Sequence, residues 1–147
     1  MGSGHRVVVS VSVPAPPARL WRALTVPGEV AAWDGVGIVA VPDGYPAPGQ
    51  HARWRTRIGP WGVTLHDRVQ VVEEQRRLAS VIDVAFVHVE EEYQLVATGD
   101  ATVVVSGNLV SSTVPGLGPL ARHLTRRAVS RSMRRLAAHC GAGDEAG

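Results

Sequence analysis

Asp67 is the residue whose setting most suggests chemistry. It falls on the apolar alternation of Val63 to Val71, in step with Val63, Leu65, Val69 and Val71. A carboxyl group held among aliphatic side chains can take up and return a proton in an aldol cyclisation, a dehydration or an epoxide opening. The same residue would be purely structural if the strand bulges or if an arginine pairs with it. Tyr93 is the second catalytic candidate, because a phenol can donate a hydrogen bond to a ligand carbonyl, although a core tyrosine with its hydroxyl at the rim fits equally. Glu91, in step with Val89, Tyr93 and Leu95, is expected at a cavity mouth. Asp83 is a further candidate, on a strand, Ala79 to Val87, whose two alternations are both apolar.

Other chemistries find no support. The histidines at 5, 51, 66, 88, 123 and 139 have no spacing that pairs two on a helix face, so no metal site is expected. Cys140 is the only cysteine, which rules out an intrachain disulfide. No nucleophile elbow, P-loop or dinucleotide fingerprint occurs, and no cofactor is expected.

The elements that would position these groups follow from periodicity. Residues 6 to 13 form a β-branched strand, and Pro14, Pro16 and Pro17 end it and open a short helix carrying Leu20, Trp21 and Leu24. A second short helix is expected over Glu29 to Trp33, then a strand from Ile38 to Val41. Gln50 to Ser112 reads as consecutive strands broken by Gly-Pro, Glu-Glu-Gln-Arg-Arg and Thr-Gly-Asp turns, an antiparallel meander. Leu120 to about His139 lacks Gly and Pro and is one long helix; Leu117, Ala121, Leu124, Ala128, Ser132 and Leu136 should face the sheet. Residues 141 to 147 are expected to be a flexible tail, with the ordered core at about 6 to 140 in one domain spanning 1 to 147.

Strand alternation also names the pocket lining: Trp54, Thr56, Ile58, Leu65, Val69, Asp83, Glu91, Val103 and Val105, closed by Leu124 and Ala128 of the helix, with Trp33 at the end of the second short helix as a further ligand-binding candidate. Arg53, Arg55 and Arg57 fall on the opposite, outward side of their strand.

The chain has 147 residues, 45% of them hydrophobic, with a formal charge of +2. No segment is apolar enough to span a bilayer and the first residues lack a secretory pattern, so a cytoplasmic protein, monomer or homodimer, is expected. All basic residues are arginine, which fits a GC-rich source genome. The arginines at 122, 126, 127, 131, 134 and 135 form a solvated helix face; without interleaved aromatics, nucleic acid is not the expected partner.

The opening Val11-Ser-Val-Pro-Ala-Pro-Pro-Ala-Arg-Leu-Trp-Arg-Ala-Leu24, followed by Trp33 and by the order of the later elements, resembles the START-like, birch-pollen-allergen-like superfamily that includes polyketide cyclases. The resemblance implies an α+β helix-grip fold, a curved antiparallel sheet of about seven strands wrapped around the C-terminal helix. It also implies a cavity for a hydrophobic small molecule. The leading expectation is a polyketide cyclase or dehydratase of natural-product biosynthesis. The alternatives are a non-catalytic carrier or self-resistance protein, and a quinone-binding or toxin-like interaction module that uses the basic helix.

Overall fold

The computed structural model describes residues 4–146, and residues 142–146 by backbone course alone. β1 (His5–Val13) is followed by two short helices, α1 (Pro17–Thr25) and α2 (Pro27–Asp34). Next come β2 (Gly37–Ala40), β3 (His51–Ile58), β4 (Trp61–Glu73), β5 (Arg77–Val84), β6 (Val87–Thr98) and β7 (Ala101–Ser112). The long helix α3 (Gly118–Ala146) ends the chain. The strands form one antiparallel sheet in the order β1-β7-β6-β5-β4-β3-β2, a six-strand meander closed by β1 on β7. This is the expected helix-grip arrangement.

Local chemistry accounts for the helices. A proline at the first turn starts both α1 and α2, where its missing N–H costs nothing. Gly35 ends α2 in the left-handed conformation (φ 72), and its N–H is bonded to the Ala31 carbonyl. The Trp33 indole N–H donates to the Ala23 carbonyl at 2.8 Å, which pins α2 to α1.

Val7 and Val13 of β1 are buried on the inner face, as are Val69, Leu78, Leu95 and Val104. From α3, Val129, Met133, Leu136 and Cys140 pack into the same core with Leu20 and Leu24 of α1. The helix therefore buries Ala121, Thr125, Val129, Met133, Leu136 and Cys140, a stripe turned about one residue from the expected one. Packing decides this: α3 lies against β1 and β7 at one end of the sheet, so its Leu124, Ala128 and Ser132 side turns toward the open half. The helix also continues through Gly141, where a flexible tail was expected, to Ala146. The two glycines of this last stretch, Gly141 and Gly143, cost about 1 kcal/mol each against alanine, and Gly141 lies close to the Pro14 ring. Residue 147 lies outside the described residues.

Two expectations about alternation are corrected. Val103 and Val105 sit on the outer face of β7, while Thr102, Val104, Ser106, Asn108 and Val110 point inward and are buried. Asp83 lies on the outer face of β5 beside Arg68 (3.4 Å) and His88 (2.6 Å), because Leu78, Ser80 and Ile82 take the inner face. A register shift between Val69 and Val71 on β4 also moves Val72, rather than Val71, onto the core.

Candidate functional site

Between the sheet and the three helices lies a cavity in three adjoining parts. The innermost, about 90 Å³, is lined by Leu24, Trp33 and Asp34 from the short helices, by Tyr45 from the β2–β3 loop, and by Trp54, Asp67, Glu91 and Tyr93 from the sheet. The middle part, about 210 Å³, shares Asp34, Leu65, Ile82, Glu91 and Tyr93 with it and adds Thr125, Ala128 and Val129 of α3. The outer part, about 400 Å³, is bounded by Ile58, Leu65 and Val84 of the sheet and by Leu124, Thr125 and Ala128 of the helix.

Asp67 is buried inside the innermost part, and the shift at Val69 comes too late in β4 to turn it outward. Its Oδ2 accepts from the Tyr45 hydroxyl at 2.7 Å and from the Trp54 indole N–H at 3.3 Å. Tyr45 stands edge-on to the Trp54 ring, 6.0 Å between centroids, so one aromatic corner holds both donors. Asp67 Oδ1 is buried without a hydrogen-bond partner among the described residues.

Glu91 is one of three carboxyl groups of the cavity, with Asp67 and Asp34. Burial, with the negative charges of Asp67 and Asp34 adding to it, pushes its pKa up to about 8. Glu91 lines the innermost and middle parts of the cavity. On the inner face Ser80 of β5 and Asn108 of β7 are its register partners. Asn108 donates to the Val7 carbonyl at 3.3 Å and to Ser106 Oγ at 3.0 Å, and its own Oδ1 is buried without a partner among the described residues. The Tyr93 and Tyr45 phenols are both pushed up by burial, and Tyr45 also by the adjacent Asp67 charge, so both remain neutral hydroxyls. Asp34 accepts from Ser132 Oγ at 2.7 Å and is shifted upward by burial, against that bond and the charge of Arg135. The site thus combines apolar walls with three carboxyl groups: Glu91, held protonated at neutral pH, Asp34, shifted upward by burial, and Asp67, with one unpaired oxygen.

Of the residues named from sequence, Trp33, Trp54, Leu65, Asp67, Glu91 and Tyr93 line the innermost part together. Thr56 lies farther out, in the middle and outer parts, and Ile58 at the outer part. Leu124 and Ala128 also lie farther out than expected: the wall facing Trp54 and Asp67 is Leu24, Val30, Trp33 and Asp34 of the short helices. Val69 is a fully buried core residue and does not line the cavity. Asp83, Val103 and Val105 lie outside it. Sequence reasoning missed Tyr45, Asp34, Ser80 and Asn108. Tyr45 stands in Asp43-Gly44-Tyr45-Pro46, which reads as a turn, and only its position beside a candidate carboxylate in space gives it a role. Asn108 shares an alternation with Thr102 and Ser106, which looks like a solvated face.

A curved antiparallel sheet gripping a terminal helix around an acid-bearing apolar cavity defines a helix-grip ligand-binding protein. More particularly, the chain belongs to the family described as polyketide cyclase / dehydrase and lipid transport, whose model matches residues 4–141. It falls within the START-like, birch-pollen-allergen-like superfamily, and the family description points to hydrophobic ligands. A START superfamily protein from Mycobacterium smegmatis superimposes with a TM-score of 0.71 at 17% identity, covering 97% of this chain and 99% of that one. Ara h 8.0201 gives a TM-score of 0.72 at 14% identity, covering 93% and 97%. DynU16, a putative protein in the dynemicin biosynthetic locus, gives a TM-score of 0.62 at 27% identity; 89% of this chain matches 46% of DynU16. No curated protein sequence matches the chain. No helix among the described residues is long and apolar enough to cross a membrane.

Proposed function

We propose that this protein takes a hydrophobic, carbonyl-bearing small molecule of the polyketide type into the cavity and catalyses its cyclisation and dehydration. The observation that carries the reading is the pairing of Asp67 with Glu91 among the three carboxyl groups of one largely apolar cavity, Glu91 being held protonated near neutral pH. Two such groups can divide acid and base work. In the proposed step Asp67 removes a proton from the carbon between two ligand carbonyls, and that carbon attacks a third carbonyl. Glu91 protonates the oxygen that becomes a hydroxyl. In dehydration the same groups remove a neighbouring C–H proton and protonate the departing hydroxyl, which leaves as water. Tyr93, a neutral phenol on the same wall, orients a carbonyl by donating to it. The relation to a protein of a natural-product locus supports a ligand of this class.

The test supplies a linear poly-β-ketone and follows cyclised product by chromatography. Turnover is expected in the wild type and is expected to be lost in Asp67→Asn, Glu91→Gln and Tyr93→Phe while binding persists. A second reading, a non-catalytic carrier or sequestering protein, is favoured by Tyr45 and Trp54, which already occupy one oxygen of Asp67. Tight binding with no product under any condition would establish that reading and remove catalysis.

A further inference from the structure

Beside the cavity opens a groove of about 600 Å³ whose lining includes Arg55 and Arg57 of β3 and Arg131 and Arg135 of α3. The arginines of β3 lie on the outward side of the strand and border the groove together with those of α3, where the sheet has an open edge. β2 pairs with β3 only from Arg53 to Arg55, so the backbone from Thr56 to Ile58 is uncovered on that side. Glycines make room for the guanidinium groups. A Cβ on Gly62 would sit 3.1 Å from Arg55 Nη2, and one on Gly35 would sit 3.2 Å from Arg135 Nη1.

The charge in this groove is compensated only at Arg135, which faces Asp34. Arg55, Arg57 and Arg131 make no ion pair among the described residues. Asp34 is the only acidic residue in the described lining; its carboxyl accepts from Ser132 and feels the charge of Arg135, which also donates to the Asp34 backbone carbonyl at 3.4 Å. Arg57 and Arg131 border the groove and also the middle and outer parts of the cavity, so one molecule can occupy both spaces.

We propose that this groove binds a phosphate ester head group on the molecule whose apolar body fills the cavity. Guanidinium forks match the paired oxygens of phosphate and hold them by charge-assisted hydrogen bonds. A groove of this size with four guanidinium groups exceeds what a lone carboxylate needs. The inference rests on the cavity reading for the ligand body, and the test separates the two.

Binding of 2-naphthyl phosphate, 2-naphthol and inorganic pyrophosphate would be measured by calorimetry on the wild type, on Arg57→Gln/Arg131→Gln and on Arg55→Gln. The phosphate ester is expected to bind at least about tenfold more tightly than the alcohol, with the advantage falling as salt rises. The double variant is expected to lose that advantage and pyrophosphate binding. Arg55→Gln, which changes the groove and not the cavity lining, is expected to weaken both phosphate probes in part while keeping its affinity for 2-naphthol. Equal affinity of ester and alcohol in the wild type, or an advantage that survives the double variant, would overturn the groove while leaving the cavity reading intact. Pyrophosphate bound through these arginines without any 2-naphthol binding would support the groove and sink the cavity reading.

Discussion

The Tyr45 hydroxyl donates to Asp67 Oδ2 at 2.7 Å, joining a loop residue to the middle of β4 across 22 positions of sequence. This bond fixes the side of the carboxylate that faces the aromatic corner and leaves Oδ1 unpaired. Tyr45→Phe removes the donor and leaves the buried oxygen with the longer Trp54 contact alone. A loss of about 1–3 kcal/mol in unfolding free energy is expected by chemical denaturation. A change below a few tenths would mean that the bond does not hold the site.

Glu91 makes stability depend on pH in a defined direction. Its pKa is about 8 in the folded protein against an ordinary value of 4.5, so the folded state holds a proton that the unfolded chain releases over that window. The stabilisation is fully present below about pH 4.5, declines as pH rises toward 8, and is gone above it. Glu91→Gln should flatten this part of the stability curve and make the variant more stable than the wild type at pH 8. Denaturation midpoints measured from pH 5 to 9 check this, and parallel curves for the two proteins would contradict it. Turnover should likewise fall as pH rises through 8, when the acid is lost.

Asp83 provides the contrast. It pairs with Arg68 and His88 on the outer face, where both partners are substantially exposed. Exposed pairs contribute about 0–1 kcal/mol. Asp83→Asn should therefore leave 2-naphthol affinity and turnover unchanged while Asp67→Asn and Glu91→Gln abolish turnover. Equal losses in all three would mean that the acidic groups act through stability.

The turn after α2 carries a separate expectation. Gly35 has φ 72, where a side chain is strained, and an added Cβ would press on Arg135 Nη1. Gly35→Ala should cost about 1–2 kcal/mol. It should also weaken pyrophosphate binding by moving Arg135. Unchanged thermal stability and binding would contradict this.

The order of elements and the inward placement of Trp54, Asp67, Glu91 and Tyr93 were legible because period-two alternation survives wherever one face of a strand is buried. The reading failed where both faces carry apolar residues or where the cavity is polar. On β5 aliphatic residues lie on both sides of Ile82, so alternation could not decide Asp83. On β7 the inner face carries Ser106 and Asn108 while the outer face carries Val103 and Val105, which inverts the usual pattern. Leu124 and Ala128 line the cavity farther out than expected because one helical periodicity fits two neighbouring stripes, and only the docking of α3 on β1 and β7 selects between them. Tyr45 and Asp34 were missed because their roles arise from long-range contacts, with Asp67 across 22 positions and Ser132 across 98.

The central claim is that the cavity holds one carboxyl group protonated at neutral pH beside the Asp67 carboxylate. The most direct measurement is a pH titration of the Glu91 side-chain carboxyl carbon by NMR on the full chain, with Glu91→Gln used to assign the resonance. A midpoint near 8, falling when Asp67→Asn removes the neighbouring charge, is the expected result. A midpoint near 4.5, unmoved by Asp67→Asn, would contradict the account.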